Sequence, residues 1–483
     1  SASFGEFGWL SRLSSQTGFG SAETVVLGRS QIAVAVFGIK AADADTALKI
    51  RPRYAVVIET KTDESRAMAF VEKQVGEIVK KNLGEMPPEK SEKDGAKWLI
   101  WRKNERQFLA AVSGSRAIVG NDEEAVKNCL AVQRGEKSSL SGNQNLKFLR
   151  DKAVRENALT FGFVTSEGLK QITEIAGIFL AGQLSDSTSS ASLFAQTMPA
   201  FLQNTVRALA WDSKLENNKI KDSYLLVMPP DLVSQLREPL KTNSENSVNF
   251  AEFLPPNIYS VTRYSLQNPS KAWRGVMFAM SGKMDGLSAV MFNSTADNLL
   301  IPYGIEDANA FLSAVGNEIY TIRLDEEDGK TVALVKPKET EKIKQIVFRN
   351  LGSSTPAEEK IGDMTLLTNA QKNDWAAAFV GDLLLFGKAE NVRLCLQAKV
   401  NKQNLSLSNK TQNDAFIKTW TTDNDSVRDF LQAVAKKKIS EPPNQNQAVF
   451  AVTETNLKPE GIERTVVSDF GLLGTLIVAI TQN

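Results

Sequence analysis

The sequence contains no histidine in 483 residues. That absence excludes Ser-His-Asp and Cys-His nucleophilic chemistry, histidine-bound zinc and histidine-bound haem. Cysteine is nearly absent too. Cys129 and Cys395 are the whole supply, with no C-x-x-C pair, so a disulfide scaffold is excluded. Charge of one sign is not in excess: 57 Lys and Arg face 56 Asp and Glu. A net charge of +1 gives no bulk electrostatic case for nucleic acid or an anionic membrane. Long hydrophobic runs are missing. The stretch Phe470 to Ile480 is interrupted by Gly471, Gly474 and Thr475, and falls short of the ~20 residues a spanning helix needs. Phosphate-binding signatures are absent as well. Gly18-Phe19-Gly20-Ser21-Ala22-Glu23 lacks the third glycine of a dinucleotide fingerprint, and no G-x-x-x-x-G-K-[ST] or G-x-S-x-G occurs.

What is present is an ordinary globular balance, with 42% apolar and 23% charged residues. Self-comparison is the most informative step. Phe108 to Gly114 matches Trp375 to Gly381, each an aromatic, a short apolar strand and a glycine. Ala117 to Gly120 matches Leu384 to Gly387, and Ala125 to Leu130 matches Asn391 to Leu396, so the two cysteines fall at equivalent places. Ser139-Leu140-Ser141 matches Ser406-Leu407-Ser408, and Phe148 matches Phe416. Upstream, Leu27 to Val34 resembles Val315 to Thr321, and Tyr54 to Glu59 resembles Thr331 to Lys336. Downstream, Ala208 to Asp212 and Ile220 to Asp222 parallel Phe450 to Glu454 and Ile462 to Arg464. Blocks kept in one order indicate a tandem duplication, residues 1–245 and 250–483. The polar segment Lys241 to Ser247 ahead of Pro255-Pro256 reads as the linker.

Within one repeat, Tyr54 to Thr60 reads as a strand. Thr62 or Asp63 caps a helix whose apolar stripe is Met68, Val71, Val75 and Ile78, ended by Gly84 and Pro87-Pro88. Asp94-Gly95 marks a turn, followed by strands at Lys97 to Arg102, Gln107 to Val112 and Arg116 to Val119 and a helix from Asp122 to Gln133. The second repeat carries a hairpin turn at Asp328-Gly329 between Ile319 to Leu324 and Thr331 to Val335. Its helices run from Glu339 to Asn350, Ala389 to Ala398 and Ser426 to Lys438. The first repeat has a helical insertion over about 165–204, split by Ser185 to Ser190. The predicted class is α+β, two tandem repeats, each a mostly antiparallel sheet with helices on one face.

No residue emerges as catalytic, cofactor-binding or metal-binding. Each cysteine lies on an apolar helical stripe and reads as a small buried hydrophobe. A bridge between the two needs Cα atoms within ~7 Å. Asp325 to Gly329 lacks the ligand spacing of a calcium loop, since Leu324 and Val335 hold its first and last positions. It reads as a hairpin tip. Glu123-Glu124 and Glu358-Glu359 read as helix starts and loops, and Lys436-Lys437-Lys438 as a helix C-terminus.

The segment Phe253-Leu254-Pro255-Pro256-Asn257-Ile258-Tyr259-Ser260-Val261, the glycine-then-strand element at Leu27 to Phe37, and Arg51 to Glu59 leading into a helix carry a resemblance. With the blocks around Gly120 and Gly387, they are similar to the bacterial family called domain of unknown function 3352. The resemblance implies an exported or membrane-anchored cell-envelope protein and supplies no catalytic residue. The Leu-Pro-Pro-led strand at 253–262 has no counterpart ahead of Leu27, so the first repeat is expected to lack its opening strand. That points to processing or truncation at Ser1, with any membrane anchor ahead of it.

The function expected is therefore non-catalytic: an exported envelope scaffold, accessory subunit or interaction module with a protein partner. The alternative is a carrier of a lipid or other apolar ligand, lined by Ile172 to Leu184 and Phe470 to Ile480. A carboxylate-dependent hydrolase is the third reading, with no acidic pair singled out.

Overall fold

The computed structural model describes residues 29–42, 49–104, 106–183, 201–243, 249–256, 258–296, 300, 305–325, 330–351, 356–369, 374–402, 415–422, 451–472 and 474. They fall into two compact units, one ending at Phe148 and one beginning at Leu149.

The first unit runs β1 (Gln31–Ala42), β2 (Lys49–Glu59), α1 (Glu64–Leu83), β3 (Glu89–Lys93), β4 (Ala96–Lys103), β5 (Arg106–Ser113), β6 (Arg116–Gly120) and α2 (Glu123–Gln133). Its sheet has the order β1-β2-β6-β5-β4-β3 and is antiparallel throughout. Asp63 caps α1, its carboxylate accepting from the Arg66 amide at 3.0 Å. The helix ends at Gly84, whose φ of 91° suits a residue without Cβ. The buried stripe is Ala67, Val71, Val75 and Val79, with Phe70 and Leu83 beside it. The predicted stripe is right at Val71 and Val75 and wrong at Ile78, which is 47% exposed. Four-residue steps from Val71 lead to Val79, one position further. Strand β3 escapes sequence reading because Glu-Lys-Ser-Glu-Lys has no apolar residue. The turn Asp94-Gly95, with both φ positive, folds it back onto β4.

Helices lie on both faces of this sheet, which corrects the expected single face. Helix α1 packs on Leu99, Trp101, Ala110 and Val112. Helix α2 packs on Trp98, Ile100, Leu109 and Ala111. Trp98-Leu99-Ile100-Trp101 is an unbroken buried run, which a strand covered on both sides requires.

The second unit contains β7 (Thr160–Val164), α3 (Ser166–Gln183), β8 (Ala208–Glu216), β9 (Lys219–Val227), β10 (Ser260–Ser265), β11 (Val315–Arg323), β12 (Thr331–Pro337), α4 (Thr340–Asn350), β13 (Ala357–Ile361), β14 (Met364–Thr368), β15 (Trp375–Val380), β16 (Leu383–Lys388), α5 (Ala389–Asn401), β17 (Ile417–Thr421), β18 (Ala451–Lys458) and β19 (Gly461–Ser468). One antiparallel sheet joins its thirteen strands in the order β13-β14-β15-β16-β12-β11-β10-β17-β18-β19-β9-β8-β7.

The run β11-β12-β16-β15-β14-β13 repeats the strand order of the first unit, strand for strand. The register agrees as well. Gly120 stands between Ala55 and Leu109, and Gly387 between Val332 and Ala376. Both glycines are required by close approach: a Cβ would lie 2.6 Å from the Tyr54 carbonyl oxygen at Gly120 and 2.7 Å from that of Thr331 at Gly387. Helices α4 and α5 cover opposite faces, as α1 and α2 do. The fold is thus α+β with two copies of one antiparallel plan. One match needs correction. Phe148 lies in the helix Gln144–Ala153, and strand pairing makes Leu159 the counterpart of Phe416.

The final strands of the two repeats meet edge to edge. Ile220 to Val227 of β9 pairs with Gly461 to Ser468 of β19. Repeat boundary and compact unit therefore differ: the second unit holds β7, β8 and β9 of the first repeat together with the second repeat. Residues 185–190, 193–200, 244–247, 328–329, 406–408 and 426–438, to which the sequence assigns loops, turns, helices and part of a linker, lie outside the described residues.

Candidate functional site

Cys395 is completely buried in α5, among Val392, Leu396 and the apolar core beneath. Burial pushes its thiol up to about 12. Cys129 in α2 is partly buried, and burial raises its thiol as well. Both are free thiols. Neither has the electropositive setting that makes a cysteine nucleophilic.

The acidic pairs resolve into ion pairs. Glu123 opens α2, accepts from Lys93 at 2.8 Å and lies 3.0 Å from Lys127, and these two ammonium groups bring its carboxyl down to about 2. Glu358-Glu359 lies in strand β13, not in a loop. Glu359 takes a forked pair of bonds from Arg393 at 2.9 and 2.6 Å, which lowers its carboxyl. Asp325 accepts from the Lys330 amide at 3.2 Å, a local hairpin bond; residues 326–329 lie outside the described set, as do 18–23 and 436–438.

The distinctive feature is a transverse row of side chains on one face of the large sheet. Directly paired residues on neighbouring antiparallel strands share a face. The row reads Leu334, Tyr320, Arg263, Lys418, Glu454, Thr465, Ser223, Asp212, Phe161. Its first members belong to the apolar core with Cys395. From Arg263 to Asp212 it is polar, yet Arg263, Lys418, Ser223 and Asp212 are all buried.

Each charge in the row has a counter-charge. Lys418 Nζ lies 2.9 Å from Glu454 and over the Trp420 ring. Arg263 lies 3.9 Å from Glu318, which also accepts from the Tyr320 hydroxyl at 3.0 Å. Burial, and then the Glu318 carboxylate, raise the Tyr320 phenol. Phe250 stacks on Tyr320 with centroids 4.2 Å apart. In the first repeat Asp212 stands where Glu454 stands in the second. Its base comes not from a neighbouring strand but from Arg155, ahead of β7, through the backbone amide at 2.8 Å and the guanidinium at 2.5 to 3.2 Å. On the opposite face, Asp222 accepts from the Ser213 hydroxyl and, at 2.8 Å, from the Leu472 amide. It thereby ties the chain after β19 to β9.

This arrangement neutralises charge inside a sheet and fixes strand register, because sliding one strand by a residue would turn that strand's charge to the other face, away from its partner. Sequence reading missed it. Arg263 in Ser-Val-Thr-Arg-Tyr-Ser and Lys418 in Ile-Lys-Thr-Trp-Thr alternate as surface-facing residues do. Their signal was available only in the pairing of repeats, where a lysine stands opposite the duplicated acid.

Among the described residues there is no group of three or more His, Cys, Asp or Glu side chains placed to hold a metal ion. Among them, too, no helix is long and apolar enough to cross a membrane. Of the two apolar faces suggested for a carrier, 475–480 lies outside the described residues, and the α3 side chains are described only as far as Ile175. No family model, curated protein or solved structure matches the chain.

Proposed function

We propose that this chain is a non-catalytic, exported protein of the bacterial cell envelope, acting as a scaffold, accessory subunit or interaction module. The carrying observation is the duplicated sheet plan, with matching strand order and register in the two repeats. Duplication multiplies surface. The strongest polar feature, the transverse row, is committed internally to charge pairs. The resemblance of the 253–261 segment and the Gly120 and Gly387 blocks to domain of unknown function 3352 supports an envelope location. The test is cross-linking of the protein in intact cells, followed by purification from the envelope fraction in several mild detergents. Recovery with a stoichiometric partner is expected. Recovery only as a free monomer in the soluble cytosolic fraction would remove the reading.

A further inference from the structure

Strand β1 is an edge strand of its sheet, pairing among the described strands only with β2. From Gln31 to Ile39 it carries no charge. Ile32, Val34 and Val36, on one face, are 54%, 67% and 60% exposed. Edge strands are ordinarily blunted by charge, proline or covering structure. An uncharged, β-branched edge with its side chains in solvent is a template for strand addition.

The second repeat shows what such an edge takes. Pairing with β2 makes Ala33, Val34 and Ala35 the counterparts of Tyr320, Thr321 and Ile322 of β11. There the same edge is occupied: Arg263, Thr262 and Val261 of β10 stand opposite those three residues. The first repeat has this edge without a described strand on it.

We propose that the Gln31–Val36 edge binds an extended segment of a partner protein, added antiparallel as β10 is added to β11. This deepens the interaction-module reading and rests on it. The chemistry of the segment follows from the faces. Opposite Ile32, Val34 and Val36 it carries β-branched, aromatic or small hydroxyl residues, as Tyr264, Thr262 and Ser260 do opposite β11. Opposite Ala33 and Ala35 it carries bulky side chains, because two alanines stand where the second repeat has Tyr320 and Ile322. That requirement disfavours a second copy of the chain. Antiparallel self-pairing about Val34 sets Ala33 against Ala35 and leaves that face unfilled.

The probe is a synthetic peptide of residues 254–266, the β10 strand with its Leu-Pro-Pro lead, added to the full chain. Saturable 1:1 binding is expected, with amide exchange slowed at Gln31 to Val36. Val34→Lys should weaken binding at least ~tenfold and Val34→Thr should leave it within ~threefold, since an edge lysine opposes pairing and a threonine keeps β-propensity. Val34 is solvent-exposed, and circular dichroism checks that each variant is folded. No binding, protection confined to another strand, equal affinity of Val34→Lys, or concentration-dependent dimers with β1 protected in the absence of peptide would each overturn the proposal. A stoichiometric envelope partner that Val34→Lys still retains would overturn this edge alone and leave the wider reading standing.

Discussion

At the scale of single residues, the protein separates charge from reactivity. Cys395, with its thiol raised to about 12, should resist iodoacetamide at pH 8 in the native state and react fully in denaturant. Mass spectrometry of the modified peptides checks this, and Cys129, only partly buried, should label first. Glu123 gives a pH test. Lys93, then Lys127, lower its carboxyl to about 2, so its contribution to stability is complete above the ordinary carboxylate range and is lost as pH falls towards 2. In urea titrations Glu123→Gln should cost up to about 1 kcal/mol at pH 7, the pair being partly solvent-screened. The difference from wild type should vanish near pH 2. Asp212 behaves differently because it is fully buried. Removing its partner by Arg155→Ala should cost on the order of 3–5 kcal/mol, and adding Asp212→Asn should restore part of it, as breaking one side of a buried pair is worse than removing both. The burial of Cys395 was legible from its apolar stripe, whereas Cys129, on the matching stripe, is only partly buried. The buried charges were not legible, because alternation along a strand looks the same whether the polar face meets water or a counter-ion.

At the scale of elements, periodicity and turn chemistry carried most of the plan. Asp63, Gly84, Asp94-Gly95 and Asp122 mark their boundaries correctly, each through a local backbone requirement. Strand β3 was illegible because its pairing is imposed by a turn and a neighbour rather than by its own side chains. The second covered sheet face was likewise hidden: four consecutive apolar residues at Trp98 to Trp101 signal burial on both sides only once they are known to be a strand. Gly120 and Gly387 were visible as matched letters, and the structure supplies the reason in the carbonyl beneath each. Alanine at either should cost about 1–3 kcal/mol through overpacking, with similar values in the two repeats, measured by thermal unfolding.

At the scale of the whole molecule, the duplication was legible, but the way the copies share a sheet was not, because edge pairing between distant strands leaves no trace in local pattern. The consequence for dissection is specific. A fragment of residues 1–148 follows a compact unit and should be soluble and folded by circular dichroism and gel filtration. A fragment of residues 1–245 follows the repeat, strips β9 of its eight-residue pairing with β19, and should aggregate.

That same seam sets a timetable for synthesis. The partners at Ile220 and Ser468 are separated by roughly 250 residues. At a translation rate of ~5–20 residues per second, a nascent β9 waits about 12–50 s for its neighbour to emerge. Throughout that interval the hydrogen-bonding groups on the side of β9 away from β8 must be occupied by water or a chaperone, so the burden on the cell's folding machinery falls at mid-chain rather than at either end.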